Sequence, residues 1–230
     1  MKKFIFLALS SLLCVSCFQV NMNYKTGGKN AIKGEGPVMT KSLDFKDFDA
    51  LCVTGNADVV FTQADDWEVT LSTQENIFDE LDYKVVNGVL LIQAKNNRII
   101  MADSYDLTIR APGLKRIEVN GATEFEIPAG LRTDGDLEIE VNGAGDLDFT
   151  GIACRELNIE ANGASDIDVR DIDVQTLNVE INGLGDVSVG GKAGTASFEV
   201  SGAGDIDARG LDVAGEVKRR SSGLASIRLK

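Results

Sequence analysis

Four aspartates, Asp146, Asp166, Asp186 and Asp205, each follow a short glycine turn and recur every 19 or 20 residues. Hard cations take oxygen ligands, and carboxylates stacked beside turn carbonyls could supply several. Calcium is therefore the one cofactor this spacing would admit. The alternative is structural, since an Asp beside a tight Gly turn often accepts hydrogen bonds from turn amides. A second set of acids, Glu118, Glu140, Glu160, Glu180 and Glu199, recurs at the same step and ends at Arg220. If these glutamates stack, unit charges about 4.8 Å apart repel by roughly 0.9 kcal/mol in water. Such a column is either a solvated face that discourages sheet-to-sheet aggregation or a candidate binding stripe for a basic or cation-bridged partner.

Two residues after each glutamate comes a polar turn residue, Asn120, Asn142, Asn162, Asn182 and then Ser201, with Ser222 two residues after Arg220. Stacked side-chain amides can hydrogen-bond along an axis and satisfy one another. Catalysis finds little to work with. The chain has no His, so there is no imidazole base and no Ser-His pair. Its acids recur uniformly, whereas a catalytic position should differ from its copies. The expectation is a non-enzymatic protein with no catalytic residues.

These residues need an element that repeats with them. The turn reads Val141-Asn142-Gly143-Ala144-Gly145-Asp146, with further copies at 161–166, 181–186 and 200–205, a partial copy at 119–121 and a degenerate one at 221–226. The six turn glycines are 19 to 22 residues apart, a period that marks a solenoid whose coils bury their apolar face by stacking. Within one coil, Leu147, Phe149, Ile152, Cys154, Leu157, Ile159 and Ala161 alternate with polar neighbours in three short runs. Period two in three segments per coil describes an all-β, right-handed parallel β-helix with coils of about 20 residues. Aromatics are only 6% of the chain, so the core is built from small and branched aliphatics, with Phe125, Phe149 and Phe198 phased inward. In the last coil Arg219 and Ser221 take inward positions, as expected of a solenoid end with no further coil to cover it.

Residues 41–110 are less regular. Gly55-Asn56-Ala57-Asp58 is an early relative of the repeat, Asn87-Gly88 is a hairpin signal, and 74–81 reads as a short helix or excursion. Residues 18–40 contain Gly27-Gly28, Gly34, Gly36 and Pro37 with little periodicity, which predicts a flexible tether. The division is thus 1–16 signal, 17–40 tether and 41–230 β-helix.

The N-terminus predicts the address. Lys2 and Lys3 precede an apolar run from Phe4 to Val15, and Val15-Ser16 lead into Cys17. This is the pattern of a bacterial lipoprotein signal cleaved before Cys17, whose thiol is then lipidated. The apolar run is too short to span a bilayer. Loss of Lys2 and Lys3 with no acid takes the formal charge from −13 to −15, a surface that repels nucleic acid and anionic headgroups. Membrane attachment is expected from lipid alone. Cys52 and Cys154 remain. Their alternation places Cys154 inward and Cys52 outward, so no disulfide is expected between them.

Three elements in order carry a family resemblance: Phe48-Asp49-Ala50-Leu51-Cys52-Val53-Thr54-Gly55, Val85-Val86-Asn87-Gly88-Val89-Leu90-Leu91-Ile92, and the Asn-Gly-x-Gly-Asp coils. Over roughly residues 41–230 the chain resembles the auto-transporter adhesin head domain, or head GIN domain, of Bacteroides-type envelope proteins. The resemblance implies a β-helical fold, an envelope location and adhesion to a surface polymer or protein. An envelope protein or a polysaccharide is the expected partner. Two other readings stand beside it: a structural or stress-regulatory envelope protein acting by self-association, and, more remotely, a carbohydrate-active β-helix enzyme. Phe18-Gln19-Val20-Asn21 lacks the acidic run that such bacteria commonly place after a lipidated Cys for surface export. The expected location is therefore the outer membrane, lipid-anchored on the periplasmic face, with the cell surface as the alternative.

Overall fold

A computed structural model of the chain describes residues 31–230. The signal segment and Cys17 lie outside the described residues. The fold is the parallel β-solenoid read from the repeat, and each coil has three sides.

On the first side, which carries the Glu and Asn positions, Val89–Ala94, Ala50–Gly55, Arg116–Gly121 and Asp136–Gly143 stack in parallel. They are followed in register by the later parts of Ile152–Gly163, Asp166–Gly183 and Asp186–Gly202, and finally by Val217–Gly223. On the second side, which carries the Asp positions, Tyr105–Ala111, Asp58–Gln63, Glu124–Ile127 and Asp146–Thr150 stack in the same way. The starts of Asp166–Gly183, Asp186–Gly202, Asp205–Val213 and Ser226–Leu229 continue that stack. The third side is where coil length is adjusted. The register between successive coils slips between Val169 and Ile172, and Asp171 takes a positive φ of 56° there, an extra residue of the kind that forms a bulge.

The inward set is buried as the alternation predicts. Leu157, Ile181, Phe125 and Phe149 are 0% exposed, and the two Phe rings meet edge to face at 5.4 Å. Backbones touch at the turn between the first and second sides. A Cβ on Gly143 would lie 2.2 Å from the carbonyl oxygen of Gly121, and one on Gly163 would lie 2.0 Å from that of Gly143. Only glycine allows coils to stack this closely.

The N-terminal part is wound out of chain order. Ala50–Gly55 lies between Val89–Ala94 and Arg116–Gly121, although Val89 follows it in sequence. The Asn87-Gly88 hairpin forms as expected, with both residues at positive φ (52° and 79°) and Leu81–Val86 antiparallel to Val89–Ala94. Residues Glu75–Glu80 form a 3-10 turn that buries Ile77 and Phe78 over this end.

Two expectations are corrected. The tether reading of 17–40 runs too far, because Ala31, the first of the described residues, is already paired. Ala31–Lys33 pairs with Ile99–Met101, and Val38–Leu43 lies antiparallel on Glu68–Gln74. Backbone pairing rather than apolar side chains holds Val38–Leu43, whose first five residues are exposed, so no alternation announces it. Cys52 keeps its register in the Glu column, opposite Glu118, yet it is only 2% exposed. Position on the outer face did not mean contact with water there, because Asn120 Nδ2 donates to Cys52 Sγ at 3.6 Å and Leu91 lies opposite on the other side. Cys52 and Cys154 are not joined by a disulfide, and burial pushes the Cys154 thiol up to about 11.

Candidate functional site: two acidic faces

The stacked register converts each repeated residue into a column. On the first side Glu118, Glu140, Glu160 and Glu180 lie one above another, with Glu199 and Arg220 next. These carboxylates are engaged within the protein. Each accepts a hydrogen bond at 2.9 Å from the Asn two residues on, in the pairs Glu118–Asn120, Glu140–Asn142, Glu160–Asn162 and Glu180–Asn182. The same amide nitrogens reach back one coil, from Asn142 to Asn120 Oδ1 (3.1 Å), Asn162 to Asn142 (3.2 Å) and Asn182 to Asn162 (3.2 Å). An NH2 group has two hydrogens to donate, and here one runs along the strand and one along the axis. The predicted ladder is therefore a net that also ties down the glutamates.

Cations close the column at both ends. Arg116 reaches Glu140 at 2.8 Å and Glu118 and Glu138 at 3.5 Å, and Arg220 reaches Glu199 at 3.2 Å. Glu118, expected to be outward, is only 7% exposed beneath this cluster. A second amide rung, Asn178 Nδ2 to Asn158 Oδ1 at 2.8 Å, lies alongside. Sequence reasoning missed it because the residue recurs in only two coils.

The second side differs. Asp146, Asp166 and Asp186 stack in register, below Glu124 and above Asp205. A second column lies two residues on: Glu126, Asp148, Asp168, Ser188, Asp207 and Arg228. Sequence reading placed Asp148 outward but did not join it to Glu126, Asp168 and Asp207. The alternating Asp-x-Asp at 146–148, 166–168 and 205–207 was the available signal. Together the columns line an open groove of about 450 Å³.

Charge along this groove is uneven. Arg170 pairs with Asp148 and lies 3.6 Å from Asp168. Hydrogen bonds from Arg209 hold Asp207 down to about 2. Asp205 is held below the ordinary carboxylate range first by the Ser226 hydroxyl, with Ser226 N–H and Arg228 adding to it. Asp58, which continues the column past Glu124, is shifted up by burial and by the charge of Asp106. Among the described residues, no ion pair reaches Asp146, Asp166 or Asp186. The expected turn-amide bonds form at two of the four corners, Asp205 N–H to Asp186 Oδ1 (2.9 Å) and Ser226 N–H to Asp205 Oδ1 (3.0 Å). Among the described residues, no three acidic or thiol side chains converge on a point that could hold a metal ion. The carboxylates run as parallel rails, a geometry suited to bridging or condensing cations along a length.

Over residues 47–170 and 137–230 the sequence matches the family described as "Putative auto-transporter adhesin, head GIN domain". The chain belongs to this family. Solved structures share the fold of this head GIN protein. One from Parabacteroides distasonis, described as a putative lipid binding protein, is 22% identical with a TM-score of 0.77, over 86% of this chain and 96% of its own. A putative adhesin from Bacteroides fragilis is 18% identical with a TM-score of 0.72, over 86% and 100%. Another putative adhesin from Parabacteroides distasonis is 19% identical with a TM-score of 0.75, over 87% and 100%. No curated protein matches the chain. At these identities the neighbours establish the fold that positions the two faces. The family's description as an adhesin suggests a cell-surface or envelope protein.

Proposed function

We propose that this head GIN protein is a non-enzymatic envelope lipoprotein that binds a surface polymer or protein along the aspartate side. The observation that supports this most is the contrast between the two faces. Glutamates of the first side already hold hydrogen bonds from the Asn net and ion pairs from Arg116 and Arg220. Asp146, Asp166 and Asp186 line an open groove, and among the described residues no ion pair reaches them. A polymer carrying amines, or an anionic polymer bridged by calcium, would meet a carboxylate every 4.8 Å or so along the groove. Attachment is through a lipid on Cys17, at the outer membrane and on its periplasmic face.

The test is retention of the purified mature chain on immobilised envelope polysaccharide of the source bacterium, with and without calcium. Asp146→Asn/Asp166→Asn/Asp186→Asn is expected to lower retention tenfold or more, and Glu160→Gln/Glu180→Gln to leave it unchanged. The reverse pattern would move the binding surface to the glutamate side. Equal retention by all three proteins would end the proposal.

A further inference from the structure

The two ends of the solenoid are finished differently. At the N-terminal end Leu81–Val86 covers the outermost strand of the first side, and Glu68–Gln74 with Val38–Leu43 covers that of the second. The Glu75–Glu80 turn packs over the same end. At the other end, Val217–Gly223 pairs along one edge with Ala196–Gly202. Among the described residues no strand pairs with its other edge. All seven residues of Val217–Gly223 are exposed. A parallel strand with an open edge presents unpaired N–H and C=O groups, a ready template for another strand.

This edge is also where the charge of the molecule reverses. Lys218, Arg219, Arg220, Arg228 and Lys230 follow the last acid, Glu216, in a chain whose net charge is −13. Lys218 and Arg220 belong to the outward face, opposite Ser197 and Glu199, and Arg219 sits on the inward phase beside Phe198. These side chains line a shallow recess of about 320 Å³ at the edge. The last step of the glutamate column already shows the pairing rule, with Glu199 of one coil bound by Arg220 of the next at 3.2 Å. Arg228 with Asp205 (2.7 Å) and Lys230 with Asp212 (3.3 Å) repeat it. A strand laid on the open edge would stand to Lys218 and Arg220 as Ser197 and Glu199 do, and carboxylates on it would meet the cations from the free side. Identical ends of two copies repel each other, so the cations protect the edge from self-pairing and select a strand of opposite sign.

We propose that the last coil is a docking edge for an acidic extended peptide segment, which adds as a further strand beside Val217–Gly223. Backbone hydrogen bonds supply the affinity and the cations supply the selectivity, as in other cases of β-strand addition. The edge lies seven parallel pairings from Val89–Ala94 along the first side, or about 34 Å at 4.8 Å per step. Val217–Gly223 lies on the first side, and of the last coil's cations it is Arg228, on Ser226–Leu229, that lines the groove of the second side.

The test is fluorescence anisotropy of a labelled nine-residue peptide of alternating Val and Glu, titrated with the mature full chain in detergent. Saturable binding is expected, weakened at least tenfold by Lys218→Glu/Arg220→Glu. The same peptide N-methylated at every amide, which has no backbone N–H to donate from either edge, is expected to bind at least tenfold more weakly to the unaltered protein. That comparison needs no folded variant. Absence of peptide binding would overturn the proposal, as would equal binding of the N-methylated peptide. A sulfated polysaccharide that binds the end while the peptide does not would make it a polyanion site and overturn the proposal as well.

Discussion

Asn162 Nδ2 donates to Asn142 Oδ1 one coil away and to Glu160 Oε1 in its own strand, at 3.2 and 2.9 Å. One amide group thus joins two directions of the sheet. Asn162→Ala removes both of these bonds and the one that Asn162 Oδ1 accepts from Asn182, and leaves Asn142 Oδ1 without its axial donor. A hydrogen bond of this kind contributes about 0.5–1.5 kcal/mol net, so the expected loss in urea unfolding is about 1.5–4.5 kcal/mol. Asn162→Asp should cost more, because it sets a second carboxylate beside Glu160 and turns an acceptor toward Asn142 Oδ1. An Asn162→Asp protein as stable as the wild type would show that the net is decorative.

The glycine contacts predict a position-specific penalty. Gly163→Ala must push a methyl into the Gly143 carbonyl, which would lie 2.0 Å from its Cβ. Neighbouring coils would have to separate, and an expected cost of about 3 kcal/mol or more follows. At Gly135 an added Cβ meets only Thr133 Oγ1, at 3.9 Å, so Gly135→Ala should change stability by less than about 0.5 kcal/mol. Thermal melts of the two variants give the comparison directly.

Val179 and Glu180 are adjacent in sequence and opposite in environment. Val179 is 2% exposed, and Glu180 is outward and exposed. Val179→Asp buries a carboxylate without a partner and should unfold the middle of the stack. Glu180→Ala should leave the melting temperature nearly unchanged. Circular dichroism melts check both, and equal destabilisation would contradict the face assignment.

Tyr105 is 4% exposed, and its hydroxyl has no hydrogen-bond partner. Burial shifts its ionisation upward, so the phenol stays neutral. Removing an unsatisfied buried hydroxyl relieves its desolvation cost. Tyr105→Phe is expected to be neutral or to stabilise by up to about 1 kcal/mol, in contrast to the loss usual for a buried Tyr, as read by chemical denaturation.

Burial and Asp106 raise the Asp58 carboxyl above 3.8. A raised folded value means the ionised form is disfavoured in the folded state. The penalty is therefore absent below pH 3.8 and grows as pH rises through the folded value. Asp58→Asn should melt above the wild type at pH 7, and the difference should shrink as pH falls below 3.8. Asp207, held down to about 2 by Arg209, has the opposite sign. Its favourable contribution is present above 3.8 and is lost as pH falls toward 2. An Asp58→Asn gain that is the same at pH 3 and pH 7 would rule out this assignment.

Much of the coil architecture was legible because it is periodic. Ile167, Val169, Leu177 and Val179 alternate with polar neighbours, so their faces follow from order alone. Asn120, Asn142, Asn162 and Asn182 hold one phase, so their stacking does too. Strand order in the N-terminal part leaves no local trace: nothing near Ala50 shows that it will lie between Val89 and Arg116. Val38–Thr40, the start of Val38–Leu43, falls within the stretch read as tether because that strand is held by backbone pairing and its exposed side chains carry no pattern. Glu118 and Cys52 sit at outward phases but are covered by lateral neighbours, which face assignment by period two cannot register. Asp148 and Asp168 were visible as residues, but joining them into a second rail required the register between coils.

The extra residue at Asp171 falls on the third side, while the first and second sides keep their register across the same coils. Insertions and deletions can thus be absorbed at one corner without displacing a rung of either acidic face. The corner is a natural seam for lengthening a coil or grafting a foreign loop, and relatives with longer repeats should carry their additions there.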